Sequence, residues 1–137
     1  MAVISELIRA EENGTLSFGD YTLAEKAKND GFMYDGGSYK VKTYKDITKL
    51  ERDGIFVYES VPGTAVNGFA KKEAQVSFTV EGIEDAQITL ELEAESDYEI
   101  NIDGESAGIM KTNLGGKLSF SVELEENKSV SITIEKR

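Results

Sequence analysis

The sequence predicts an all-β protein of antiparallel strands, with a C-terminal immunoglobulin-like β-sandwich preceded by an irregular β-meander. Three observations carry this prediction. Apolar residues recur at every second position through residues 73–137. The connections between these runs are short and rich in Gly, Asp and Asn. Such short links leave no room for the crossover helices that a parallel sheet requires.

Residues 2–12 are the best helix candidate, because Val3, Ile4, Leu7 and Ile8 share one helical face and Gly14 follows as a stop. Thr15-Leu16-Ser17-Phe18 reads as a short strand. In Tyr39–Tyr44, the residues Tyr39, Val41 and Thr43 alternate with lysines. Asp53-Gly54 lies between two β-prone runs and is the strongest hairpin signal in the chain, since both residues tolerate the positive φ of a type I′ turn. The competing reading of 46–53 is a helix capped by Asp46, with Ile47 and Leu50 on one face.

Composition shifts near Lys71-Lys72-Glu73, which places a soft boundary at 72 between a 1–72 meander and a 73–137 sandwich. Beyond it the inward sets are Val76, Phe78 and Val80; Ile88, Leu90 and Leu92; Tyr98, Ile100 and Ile102; Leu118, Phe120, Val122 and Leu124; and Val130, Ile132 and Ile134. A sixth strand is expected at about 107–113. A period of two with one polar face is the mark of strands packed on one side.

The chain of 137 residues has no Cys and no His. Disulfides, thiolate and imidazole zinc sites and Ser-His-Asp or Cys-His catalysis are thereby excluded. With no apolar run near the N-terminus long enough for a signal peptide or a membrane span, the expected location is cytoplasmic. Net charge is −11, and it is uneven: residues 1–72 hold 11 acids and 10 bases, residues 73–137 hold 15 acids and 5 bases. An acidic half makes nucleic acid and anionic membrane unexpected partners.

Few residues read as a site. In EINIDG, with Gly104 sixth, the positions of a calcium loop would fall on Glu99, Asn101 and Asp103, but the twelfth is Met110, which has no oxygen to give. The expectation is a hairpin turn and no metal. Glu91, Glu93 and Glu95 have the spacing of a glycosidase pair, but along one solvated strand face rather than across a cleft. Gly36-Gly37 and Gly115-Gly116 lack the pattern of a phosphate loop. Ser60-Val61-Pro62-Gly63-Thr64 reads as a turn or loop, with proline before glycine. Tyrosines concentrate early, and Tyr34, Tyr39, Tyr44 and Tyr58 form the candidate binding surface, since a tyrosine ring can stack while its hydroxyl hydrogen-bonds. Tyr34, in MYDGGSY, is the member expected to be most exposed.

The segments SELIRAEENGTLSFGDY, YKVKT, ITKLERDGIFVYESVPGTAVNGF, VEGIEDAQITLELE and MKTNLGGKLSFSVEL resemble a family of small clostridial (Firmicutes) proteins, sometimes labelled endosialidase. That label implies a carbohydrate-active enzyme. Endosialidases resemble large propellers with arginine clusters, whereas this chain has the length of one small domain, three arginines and no Trp. No catalytic residue is carried over. The expected function is a non-catalytic binding module with a protein or glycan partner and no cofactor. The alternative is a structural subunit that self-associates, and an enzyme ranks third.

Overall fold

A computed structural model describes residues 3–137. Among these residues there is no helix, and thirteen antiparallel strands form two sheets. They are β1 (Ile8–Ala10), β2 (Leu16–Phe18), β3 (Ala27–Tyr34), β4 (Gly37–Tyr44), β5 (Ile47–Arg52), β6 (Ile55–Val61), β7 (Ala65–Lys71), β8 (Gln75–Glu81), β9 (Ala86–Glu91), β10 (Asp97–Ile102), β11 (Glu105–Lys111), β12 (Lys117–Val122) and β13 (Ser129–Lys136). The first sheet runs β1-β2-β7-β8-β13-β10-β11, and the second runs β12-β9-β6-β5-β4-β3.

Both sheets take strands from either side of residue 72. β7 pairs with β8 in the first sheet and β6 with β9 in the second. Phe18 and Tyr58 from the first half lie in one core with Phe78 and Ile132 from the second. Most of the inward sets of the second half bury as their alternation predicts: Val76, Phe78, Val80, Ile88, Leu90, Ile100, Leu118, Phe120, Ile132 and Ile134 are buried, while Leu92 and Ile102 are partly buried against the core. Burial of each such side chain is worth about 1.5–3 kcal/mol, so this alternation is the main reason the two sheets close on each other.

The N-terminal helix does not form over the described part of 2–12; Ala2 lies outside the described residues. Ile8–Ala10 pairs instead with Leu16–Phe18 across a turn in which the amide of Gly14 donates to the carbonyl of Glu11. Ile4 and Ile8 still bury, but Leu7 takes a positive φ of 73° between them and its carbonyl accepts from the Gly19 amide. The helical spacing was real as a burial pattern. A free strand edge on β2 offered the backbone better partners than one isolated short helix could.

Three Asp-Gly pairs make hairpins. Asp35-Gly36, Asp53-Gly54 and Asp103-Gly104 each have positive φ at both residues, the signature of a type I′ turn. Residues 46–53 are therefore strand and turn, as the hairpin reading predicts.

Candidate functional site

The tyrosines separate according to strand register. β4 alternates strictly: Gly37, Tyr39, Val41 and Thr43 face the second sheet's inner side, and Ser38, Lys40, Lys42 and Tyr44 face out. Tyr44 is thus on the opposite face of the sheet from Tyr39. Tyr58 is not a surface residue at all. It is fully buried, with its ring edge-on to Phe18 at 5.2 Å and to Phe78 at 5.8 Å. Burial pushes its hydroxyl pKa well up, against the smaller opposing effect of its hydrogen bonds.

The hydroxyl of Tyr58 belongs to a buried polar hub. It lies 2.8 Å from Thr64 Oγ1, and Ser60 Oγ lies 2.7 Å from the same atom. Thr48 Oγ1 donates to the carbonyl of Thr64 at 2.8 Å and accepts from its amide at 3.1 Å. Thr43 must then be the donor in its 2.8 Å bond to Thr48, and Thr43 Oγ1 in turn accepts from the Asp20 amide at 2.9 Å. The Ser60–Thr64 stretch, expected as a turn or loop, is mostly internal: Ser60, Gly63 and Thr64 are buried and Val61 is exposed. Gly63 is required there, because a Cβ would collide with the carbonyl oxygen of Tyr44.

Tyr34 and Tyr39 do come together. They sit at the turn end of the β3–β4 hairpin, with ring centroids 6.5 Å apart and planes at 51°. Tyr34 is half-buried and Tyr39 buried. Burial raises the Tyr39 hydroxyl pKa, and the nearby Arg52 guanidinium partly offsets this. Arg52 stands directly opposite Tyr39 in the β4–β5 register, and its Cζ lies 5.7 Å from the Tyr39 ring centroid. Its Nη2 donates to the carbonyl of Asp35 at 2.7 Å. The Arg52 side chain packs against Gly37, where any Cβ would overlap its Nε. Among the described residues, Arg52 Nε is the buried side-chain nitrogen or oxygen left without a hydrogen-bond partner.

These groups line a cleft of about 260 Å³, together with Asp35, Val57, Leu16, Phe69, Lys71 and Lys72. That is slightly below the usual range for small-molecule pockets, room for one sugar ring or one amino-acid side chain. The floor is apolar, one wall is a tyrosine pair, and the rim is cationic. Arg52, Lys71 and Lys72 were not singled out as site residues from the sequence. The feature that fixes Arg52 is the Lys45-Asp46 turn between β4 and β5: pairing Tyr44 with Ile47 places position 52 opposite position 39.

Two of the three carboxylate candidates are held in ion pairs. Glu91 is ion-paired with Lys117, and Glu93 with Lys136, whose own pKa is raised chiefly by that hydrogen bond. Glu95 sits in a turn with a positive φ of 49°. A smaller hollow of about 170 Å³ beyond Lys71 and Lys72 is lined by Glu73 and Glu93, the latter held by its lysine. At the β10–β11 turn, Asp103 Oδ1 accepts from the Ser131 amide at 2.9 Å and Glu99 accepts from Ser106 Oγ at 2.8 Å, so both serve the sheet. No group of three or more metal-ligating side chains occurs among the described residues.

Comparison with known protein families, with curated proteins and with solved structures finds no match to this chain, so geometry alone carries the functional reading.

Proposed function

We propose that the chain is a non-catalytic binding module that takes its partner, protein or glycan, in the Tyr34–Tyr39–Arg52 cleft. The observation that carries this reading is Arg52 Nε, a buried donor without an acceptor beside a tyrosine pair. An unsatisfied buried donor costs about 1–3 kcal/mol. A ligand oxygen that reached it would recover that cost. A sugar suits the rest of the cleft, since its apolar face can stack on Tyr34 while its hydroxyls meet Arg52 and Lys71. Binding is favoured over glycoside hydrolysis because hydrolysis needs two carboxylates about 5–10 Å apart across a cleft, and the cleft lining holds Asp35 alone.

The test is a glycan array probed with the purified chain and with Tyr34→Ala. The expected result is a saturable hit that Tyr34→Ala abolishes. An array with no hit, or a hit indifferent to Tyr34, removes the glycan form of this reading.

One observation favours self-association as a second reading. β11 is an edge strand whose seven residues are all exposed, and Ile109 is 60% exposed on its outer side, with Leu114 beyond it 80% exposed. A bulge between Ile100 and Asn101 in the β10–β11 pairing interrupts the alternation of β11, a device that hinders edge-to-edge pairing. Light scattering on the full chain distinguishes the two: mass above 15.0 kDa that falls on Ile109→Lys supports assembly.

A further inference from the structure

The outer face of the second sheet carries an arrangement that folding alone would not select. The strand registers place Lys28 of β3 opposite Lys42 of β4, and Lys42 opposite Lys49 of β5. Three lysines thus stand in one row across three strands, spaced by roughly 4.8 Å. Like charges directly opposite each other destabilise a sheet. Lys40, two residues along β4, and Lys26, one residue before β3, add to the same patch. The ammonium of Lys42 is held below its ordinary pKa, first by Lys26, then by loss of water and by Lys28, Lys40 and Lys49.

Acids compensate part of the face: Glu51 lies 3.8 Å from Lys49 and stands opposite Lys40, Glu59 stands opposite Lys49, and Asp30 stands opposite Lys40, whereas Lys28 and Lys42 face only lysine across the strands. Among the described residues no ion pair within 4.0 Å holds Lys26, Lys28, Lys40 or Lys42. In a chain of net charge −11, a row of lysines in which Lys28 and Lys42 have no ion pair among the described residues is a feature in need of an anion. Tyr44 stands on this same face, half-buried, two residues from Lys42. The face therefore offers a row of cations and a ring beside it.

We propose that the outer face of β3–β5, centred on Lys28, Lys42, Lys49 and Tyr44, binds an anionic polysaccharide, the lysines taking its carboxylate or sulfate groups and Tyr44 stacking on a sugar. A polysaccharide suits the face better than nucleic acid does. Duplex DNA carries one charge per about 1.7 Å of axis and is repelled hardest by the acidic half, and single strands need several stacking rings where this face has one. The surface lies on the opposite side of the sheet from the Tyr34–Tyr39 cleft and does not depend on it.

The experiment titrates the full chain, at low and at physiological salt, with polygalacturonate, dextran sulfate and uncharged dextran. Single-stranded DNA and phosphatidylglycerol vesicles are run alongside. The expected result is binding to one or both charged polysaccharides and not to dextran, weakened by salt. Affinity falls about tenfold or more in the Lys28→Gln/Lys42→Gln/Lys49→Gln variant. That variant relieves repulsion, so its Tm should be unchanged or higher, and loss of binding cannot be loss of fold. Tyr44→Ala weakens binding further, whereas Tyr34→Ala leaves it unchanged. The proposal is overturned by no binding at low salt, by binding indifferent to the lysines, by tighter binding of DNA or vesicles than of polysaccharide, or by lysine-dependent self-association without polysaccharide.

Discussion

The tyrosine at the hub and the two at the cleft use the same side chain in opposite ways. Tyr58 is enclosed by Phe18, Phe69 and Phe78, and its hydroxyl is satisfied by Thr64. Tyr34 and Tyr39 pack against the same core from its open end, beside an arginine nitrogen that has no acceptor. The hub has closed its polar account with protein atoms, and the cleft has not. Every hydroxyl that the hub buries meets another hydroxyl or a backbone group, which makes it rigid and specific to this fold. The cleft keeps an unsatisfied donor, a tyrosine pair and a cationic rim in its lining, which is what a binding site needs.

Substitutions should separate the two regions by their effects. The largest expected effect is Gly63→Ala, which drives a methyl group into the Tyr44 carbonyl beside the hub. It should cost about 3 kcal/mol or more, read as a fall in Tm of roughly 10 °C. Next is Tyr58→Phe, which leaves Thr64 short of one partner and should cost about 1–2 kcal/mol in a denaturant melt. It also carries a pH signature. Burial raises the Tyr58 pKa above its unfolded value, so its contribution to stability is fully present below about pH 10 and is lost as pH rises further. The wild-type chain should lose stability above that pH more steeply than Tyr58→Phe.

At the cleft the order of effects reverses. Tyr34→Ala should change stability by about 1 kcal/mol or less, because the ring is only half-buried, yet abolish ligand binding. A Tyr34→Ala melt that collapses like Gly63→Ala would make the cleft a second structural hub and remove the contrast. Smallest of all is Lys42→Gln on the outer face, expected to be neutral or stabilising by a few tenths of a kcal/mol, since it removes like-charge neighbours.

Much of the architecture was legible because two signals are local. Alternation in stretches such as Leu118–Val122 states which side chains bury, and Asp-Gly pairs state where hairpins turn. What was not legible is pairing between distant segments. Nothing near Ile8 says that it will lie beside Phe18 rather than coil, and nothing in Ser60–Thr64 says that Thr48 and Thr43 will enclose it. The tyrosines show the same limit. Composition brought Tyr34, Tyr39, Tyr44 and Tyr58 together as one surface, while register sends one outward, two to the cleft and one into the core. Arg52 was hidden for the same reason, being 13 residues from Tyr39 in sequence and directly across a strand pair in space.

The central claim is that the cleft at the turn end of the β3–β4 hairpin is the part of this molecule that receives a ligand. Amide and arginine-Nε chemical-shift mapping by NMR, with the best glycan from the array titrated into the full chain, tests it most directly. The account predicts saturable shifts at Tyr34, Asp35, Tyr39 and Lys71 and at the side-chain Nε of Arg52, with Thr43, Thr48 and Thr64 unmoved. Saturable shifts confined to another part of the molecule, with Arg52 Nε unchanged, would contradict it.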